Sequence, residues 1–186
     1  MYKLVFFIFI FISACHPNME NLYNRSYPLV NYKKETNLSL ISKNNYNLFV
    51  AFDNSCPLCK SSIPTLNLIA NTYPEMGIVL FYPSNQLDSS INEFIASALN
   101  KRIILIKDKN KALTFYFKAF VTPTCFVVSN TNKLIYKGAI NSTLSVNWRK
   151  NSGTVLPYLL NALDTALVLN KELKNHENKA LGCYIE

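Results

Sequence analysis

The chain has 186 residues, 49% of them hydrophobic and 13% aromatic, which is enough for one domain with a buried core and flanking tails. Its formal charge is +8, but the basic residues are scattered: Lys33-Lys34, Lys101-Arg102, Lys107, Lys109, Lys111 and Arg149-Lys150. Without an arginine-rich run or an aromatic-interleaved basic patch, this distribution argues against a nucleic-acid partner and for a solvated basic surface near anionic lipid.

Lys3 precedes an unbroken apolar run of nine residues, Leu4 to Ile12. That is too short to cross a bilayer, which takes about 20 residues, and it has the form of a secretory signal core. The next residues, Ile12-Ser13-Ala14-Cys15, resemble a bacterial lipobox. The resemblance implies cleavage before Cys15 and lipidation of that cysteine. The mature chain would then be anchored in the membrane of a bacterial cell envelope, facing the periplasm or the outer surface, where disulfides persist. The alternative is an ordinary signal peptide with a chance cysteine at its end. Residues 1–14 are thus read as the signal, 15–44 as a polar, Asn- and Tyr-rich tether, 45–170 as the domain, and 171–186 as a C-terminal tail.

From Asn47 the pattern becomes regular. Leu48–Phe52 reads as a buried strand. Leu58–Tyr73 reads as a helix with Ile63, Leu66, Ile69 and Ala70 on one face and a kink expected at Pro64. Ile78–Tyr82 is a second apolar strand, Ser90–Leu99 a helix and Ile103–Ile106 a third strand. Lys109–Phe117 is a helix capped by Asp108. Cys125–Val128 and Leu134–Tyr136 are strands joined by the turn formers Ser129 to Lys133. Val155–Leu169 is a last helix with a stripe of Leu156, Leu159, Leu160, Leu163 and Leu167. The order β-α-β-α-β-α-β-β-α predicts an α/β fold, a central mixed sheet with helices on both faces.

The chemistry concentrates at Cys56-Pro57-Leu58-Cys59, between the first strand and the first helix. Two cysteines spaced this way at a helix start can cycle between dithiol and disulfide. Unsatisfied N–H groups and the helix dipole favour a thiolate there, and Pro57 suits the first turn. The same spacing also serves half a zinc site. Only Cys125, Cys183, His16 and His176 could complete one, and there is no second Cys-x-x-Cys and no His-x-x-x-His. Redox use is therefore the reading taken, with no metal and no cofactor assigned.

Three segments carry a family resemblance: Phe52 to Cys59 continuing to Ile63-Pro64-Thr65-Leu66, then Val121-Thr122-Pro123-Thr124-Cys125-Phe126-Val127-Val128, then Tyr136 to Asn141. Together they resemble the thioredoxin-like superfamily, in its redoxin or thiol–disulfide oxidoreductase branch. The tail, with Leu181-Gly182-Cys183-Tyr184-Ile185, resembles a bacterial redoxin subgroup that ends in Gly-Cys-x-Ile. The resemblance implies a thioredoxin-like fold and makes Cys56 the exposed nucleophile and Cys59 the resolving cysteine. It also implies a cis Pro123 which, with Thr122, positions an extended substrate, and it makes Tyr136 to Asn141 the closing strand and turn. The substrates it implies are cysteine-containing exported proteins, with a membrane redox donor as a further partner.

Cys125 and Cys183 are additional redox candidates. Cys125, at the start of a buried strand, reads first as a small core residue. For Cys183 three readings stand: a second resolving cysteine for Cys56, a structural disulfide with Cys125, or a free or intermolecularly paired thiol. The chain departs from ordinary thioredoxins at Val50, where they carry an acidic residue, so proton transfer would run through water or Glu75. Two other functions compete. A peroxiredoxin-like peroxidase expects Thr or Ser three residues before its cysteine, where this chain has Asp53, although Ser55 directly precedes Cys56. A copper-handling relative expects two cysteines separated by three residues and a later histidine, yet only Pro57 and Leu58 separate Cys56 from Cys59 and no histidine lies between Asn18 and Asn175.

Overall fold

A computed structural model describes residues 18–30, 35–83, 95, 97–144, 155–169, 171, 173 and 177–185. The elements are α1 (Met19–Asn24), β1 (Tyr27–Pro28), β2 (Glu35–Thr36), β3 (Tyr46–Ala51), α2 (Pro57–Thr72), β4 (Gly77–Tyr82) and β5 (Ile103–Lys107). They continue with α3 (Ala112–Phe117), β6 (Val121–Thr122), β7 (Thr124–Ser129), β8 (Leu134–Gly138), α4 (Tyr158–Leu163), a π-helical turn (Asp164–Val168), β9 (Glu177–Asn178) and β10 (Cys183–Tyr184). The expected helix over Ser90–Leu99 lies largely outside the described residues, although Ile95 and Leu99 are buried. Residues 1–14, read as a signal, Cys15 and both histidines also lie outside them.

Six strands form one mixed sheet in the order β5-β4-β3-β7-β8-β9. β3 pairs parallel with β4, the α2 crossover returning the chain to the same end, and β4 pairs parallel with β5. β3 pairs antiparallel with β7, and β7 with β8 across the predicted turn. In that turn Asn132 takes a positive φ of 62° and Ser129 N–H donates to Lys133 O.

Alternation along the strands builds two cores. Leu48, Val50, Ile78, Leu80, Cys125 and Val127 face α2 and α4, meeting Ile63, Leu66, Ile69, Leu159 and Leu163. Phe49, Ala51, Val79, Phe81, Phe126 and Val128 face the other way, against α1 and α3. On that second face Phe117 stacks on Phe126 with centroids 4.6 Å apart. A sheet covered on both faces has near-continuous apolar strands, as the sequence does here.

Several expectations need correction. Most of the segment read as a tether belongs to the fold: Met19, Leu22, Tyr23, Tyr27 and Leu38 are buried in the second core. A six-residue α3 cannot cover the aromatic sheet face alone, so α1 completes the layer. The buried Asn47 side chain fastens it, donating to Tyr23 Oη at 3.0 Å and to Ile41 O at 2.8 Å. The spacing Met19, Leu22, Tyr23 was a short helical signal.

Asp108 does cap a helix, but the helix starts at Ala112, after Lys111 in the left-handed region. The carboxylate reaches forward to Leu113 N–H, Thr114 N–H and the Thr114 hydroxyl. The last helix begins at Tyr158 rather than Val155, since Pro157 occupies its N-cap. Leu156 is consequently exposed, while Leu159 and Leu163 are fully buried. Pro64 sits within one uninterrupted α2.

The strand expected to close the sheet does not close it. β9, from the tail, pairs parallel outside β8 at Lys137↔Glu177 and Gly138↔Asn178. Gly138 makes this approach feasible: its φ is 153°, and a Cβ there would meet the Asn178 backbone nitrogen at 2.8 Å.

Candidate active site

β3 ends at Ala51, and the loop that follows delivers Cys56 to the N-cap of α2, with Pro57 as the first helical residue. The loop is held by its own polar groups. Ser55 N–H and its hydroxyl both donate to Asp53 Oδ1 at 2.7 Å, and Cys56 N–H donates to Asp53 O. Asp53 N–H points at Cys59 Sγ, 3.3 Å away. Cys56 O accepts from Cys59 and Lys60 N–H, which starts the helix.

Across from this loop the Thr122-Pro123 peptide bond is cis, as the resemblance implied. Its placement puts Thr122 O 3.4 Å from Cys56 Sγ. Thr122 and Pro123 thus lie against the Cys56 end of the motif.

The tail enters the same place. Cys183 is disulfide-bonded to Cys56 with their Cα atoms 6.1 Å apart, across a sequence separation of 127. β10 pairs antiparallel with β6, Cys183 opposite Thr122 and Tyr184 opposite Val121. Ile185 N–H donates to Phe120 O at 3.0 Å. Of the three readings for Cys183, the structure holds the one that pairs it with Cys56. The structural bond to Cys125 is not formed.

Cys56 is therefore not the exposed thiol the resemblance implied. In this disulfide state it is buried beneath the tail, whereas Cys183 is partly exposed and Tyr184 is 86% exposed. Pairing of Cys183 with Cys56 was among the readings open to the sequence; burial of Cys56 beneath the tail was not, because tail and motif are far apart along the chain.

Cys59 and Cys125 are free and fully buried. Burial pushes the Cys59 thiol up to about 12; the Asp53 N–H and the Thr122 hydroxyl oppose the rise, and the Asp53 carboxylate adds to it. Burial also drives Cys125 strongly upward, reinforced by its neighbour Cys59. Both are neutral thiols at physiological pH. The Thr122 hydroxyl is near enough to favour a Cys59 thiolate, yet Thr122 Oγ1 is buried without a hydrogen bond of good geometry. We regard it as a polar group facing the sulfur and not as a formed bond.

Glu75 has no part in the site. It follows the far end of α2, whose 16 residues span about 24 Å. Among the described residues no group of three or more His, Cys, Asp or Glu side chains could hold a metal ion. No helix among them is long and apolar enough to cross a membrane.

Sequence reasoning missed the role of Gly182. A Cβ at this position would come within 2.6 Å of the Thr122 carbonyl carbon and closer still to its oxygen. Only a residue without a side chain lets the tail backbone lie this near β6. The glycine stands directly before Cys183, and that adjacency was its only signal.

No family-wide sequence profile matches the chain, and no curated protein matches it in sequence. Solved structures do. A thioredoxin-like protein from Aeropyrum pernix matches at 14% identity over 65% of this chain and 84% of that one, with TM-score 0.52. A secreted disulfide oxidoreductase of Mycobacterium tuberculosis matches at 13% identity over 63% of this chain and 84% of that one, with TM-score 0.53. The chain has a thioredoxin-like fold. A hypothetical protein from Sinorhizobium meliloti 1021 matches over more of its length, 87% of this chain and 89% of that one, at 19% identity and TM-score 0.67. In this thioredoxin-like fold the cysteine motif, the cis Thr122-Pro123 bond and the tail meet at one end of the sheet.

Proposed function

We propose that this chain is a thiol–disulfide oxidoreductase of the bacterial cell envelope, lipid-anchored through Cys15, that exchanges disulfides with cysteine-containing exported proteins. The observation that carries the reading is the Cys56–Cys183 disulfide, formed at the start of α2 and laid against the cis Thr122-Pro123 bond. A helix start favours the Cys56 thiolate, so Cys56 is both the better nucleophile and the better leaving group of the pair.

In the reducing direction, the Cys56 thiolate attacks one sulfur of a substrate disulfide. The substrate S–S bond breaks, and the other substrate sulfur leaves with the electron pair. A second thiolate of this chain then attacks Cys56, releasing the first substrate sulfur as a thiolate. Two electrons pass from two protein thiols to the substrate disulfide, and an external dithiol restores the protein. Cys183 serves as the second thiol in the tail-closed state. Cys59, one helical turn from Cys56, is the alternative partner; its use first requires the buried thiol to lose its proton.

The test is insulin reduction and hydrogen-peroxide turnover by the mature protein, with Cys56→Ser as control. Thiol exchange that disappears in the variant is the expected result. Undiminished exchange in Cys56→Ser removes the proposal, and peroxide turnover without exchange moves the assignment to the peroxidase alternative. For the anchor, Cys15→Ala is expected to shift the protein from the membrane fraction to the soluble fraction.

A further inference from the structure

The C-terminal tail is seated the way a peptide would be. It is extended, it pairs antiparallel with β6, and its cysteine is bonded to Cys56. Its four residues meet four different environments. Gly182 lies where no Cβ fits against Thr122. Cys183 reaches Cys56. Tyr184 points to solvent, 86% exposed. Ile185 packs, partly buried, against the second core and donates its N–H to Phe120 O. From Cys183 to Ile185 the outer two residues turn to the protein and Tyr184 to solvent, the two-residue alternation of a strand lying on a surface.

We infer that the tail holds the place of the substrate, and that the exchange partners of Cys56 are extended segments of the form Gly-Cys-x-apolar. The inference rests on the thiol-exchange reading above and deepens it by naming the substrate class. The glycine is demanded by the Thr122 backbone, which cannot retreat because the next peptide bond leads into β7, a strand paired on both sides within the sheet. The apolar residue is selected where Ile185 now rests. The residue between them is unselected because it faces water. In the cycle, a peptide disulfide occupies β6 with the tail lifted, and the Cys56 thiolate takes the peptide's cysteine while the peptide's former partner sulfur leaves as a thiolate. The returning tail then brings the Cys183 thiolate to Cys56. The Cys56–Cys183 bond re-forms, and the peptide leaves as a thiolate from the site the tail reoccupies. The device makes release of product and closure of the site one step.

The test uses the full chain carrying Cys183→Ser, reduced with dithiothreitol and then freed of it, so that Cys56 starts as a thiol. It is treated with peptides whose cysteine is activated as a thiopyridyl disulfide: one with Gly-Cys-Tyr-Ile, one with Ala-Cys-Tyr-Ile, and one with Gly-Cys-Tyr-Asp. Thiopyridone release is followed, and each rate is normalised to that peptide's reaction with 2-mercaptoethanol. The expected result is a rate for the first peptide about tenfold or more above the other two, a difference of about 1.4 kcal/mol. Equal normalised rates overturn the substrate pattern and leave the exchange function standing. Reaction with a small thiopyridyl disulfide but with none of the peptides marks the tail as a permanent strand and also overturns it. No reaction with any disulfide removes the thiol-exchange reading itself.

Discussion

Cys183 sits directly opposite Thr122 in an antiparallel pairing, two residues from the end of the described chain. Thr122 in turn places its carbonyl oxygen 3.4 Å from the sulfur to which Cys183 is bonded. A single residue therefore seats the tail with its backbone and borders the reactive sulfur. Strand β6, which Thr122 ends, is only two residues long, and the Ile185 N–H bond to Phe120 O extends its register.

Gly182→Ala tests how much the close approach matters. The new methyl would overlap the Thr122 carbonyl, and backbone on both sides must shift. Strain of this kind costs about 1–3 kcal/mol. Because it weakens the closed tail and not the reduced chain, the Cys56–Cys183 pair should become more oxidising by about 20–60 mV. Equilibrium titration against dithiothreitol reads the potential, and an unchanged value contradicts the close packing.

Thiol labelling separates the cysteines by burial. After full reduction at pH 8, iodoacetamide is expected to modify Cys56 and Cys183 and to spare Cys59. With its thiol near 12, only roughly one Cys59 in ten thousand is ionised at that pH. Mass mapping of the labelled peptides gives the answer. Rapid Cys59 labelling in the folded protein contradicts its placement under the sheet.

The same shift sets an alkaline limit on stability. Cys59 ionises near 9.0 when freely solvated and near 12 in the fold. As pH rises between these values the unfolded chain loses the proton first. The stability contribution is complete below about pH 9 and is lost on approaching 12, by up to about 1.4 kcal/mol per pH unit. Urea unfolding from pH 8 to 11 should show a smaller loss in Cys59→Ala than in the parent, by the share of one thiol. Equal slopes in the two proteins defeat this prediction.

Thr122→Val replaces a buried hydroxyl that lacks a well-formed hydrogen bond. Removing an unsatisfied polar group with little change in shape is expected to leave stability unchanged or raise it by about 1 kcal/mol. A melting curve checks this, and a loss of about 1 kcal/mol or more would show that the hydroxyl is hydrogen-bonded.

Asp108→Ala should be strongly felt, although the residue is far from the cysteines in sequence. Its buried carboxylate accepts from two N–H groups and one hydroxyl at the start of α3. Losing these charge-assisted bonds costs about 1.5–3 kcal/mol, or roughly 3–12 °C in melting temperature for a domain of this size. A shift under a degree would mean that water replaces the carboxylate without loss.

Strands β3, β4 and β7 were legible because a sheet buried on both faces leaves apolar runs that need no partner to be recognised. Helix α2 was legible from its 3.6-residue stripe and its proline start. α1 was missed because its apolar residues, Met19, Leu22 and Tyr23, make less than two turns within a polar stretch. Such a segment is a helix only when a sheet face offers it a surface. The start of α3 was misplaced for a related reason: Asp108 caps at a distance, through a turn that carries Lys111 in the left-handed region.

By itself the sequence determined strands β3, β4, β5, β7 and β8 with helix α2, the two-faced sheet and the helix start that carries Cys56, because each depends on local periodicity or on residues adjacent in the chain. It also left Cys183 with three readings and no means of choosing. Only the tertiary structure decided between them, by bringing β10 onto β6 and Cys183 onto Cys56 across 127 residues. The physical reason is that a disulfide partner is selected by where two backbones come together. That meeting requires the absent side chain at Gly182, which leaves no periodic trace in the sequence.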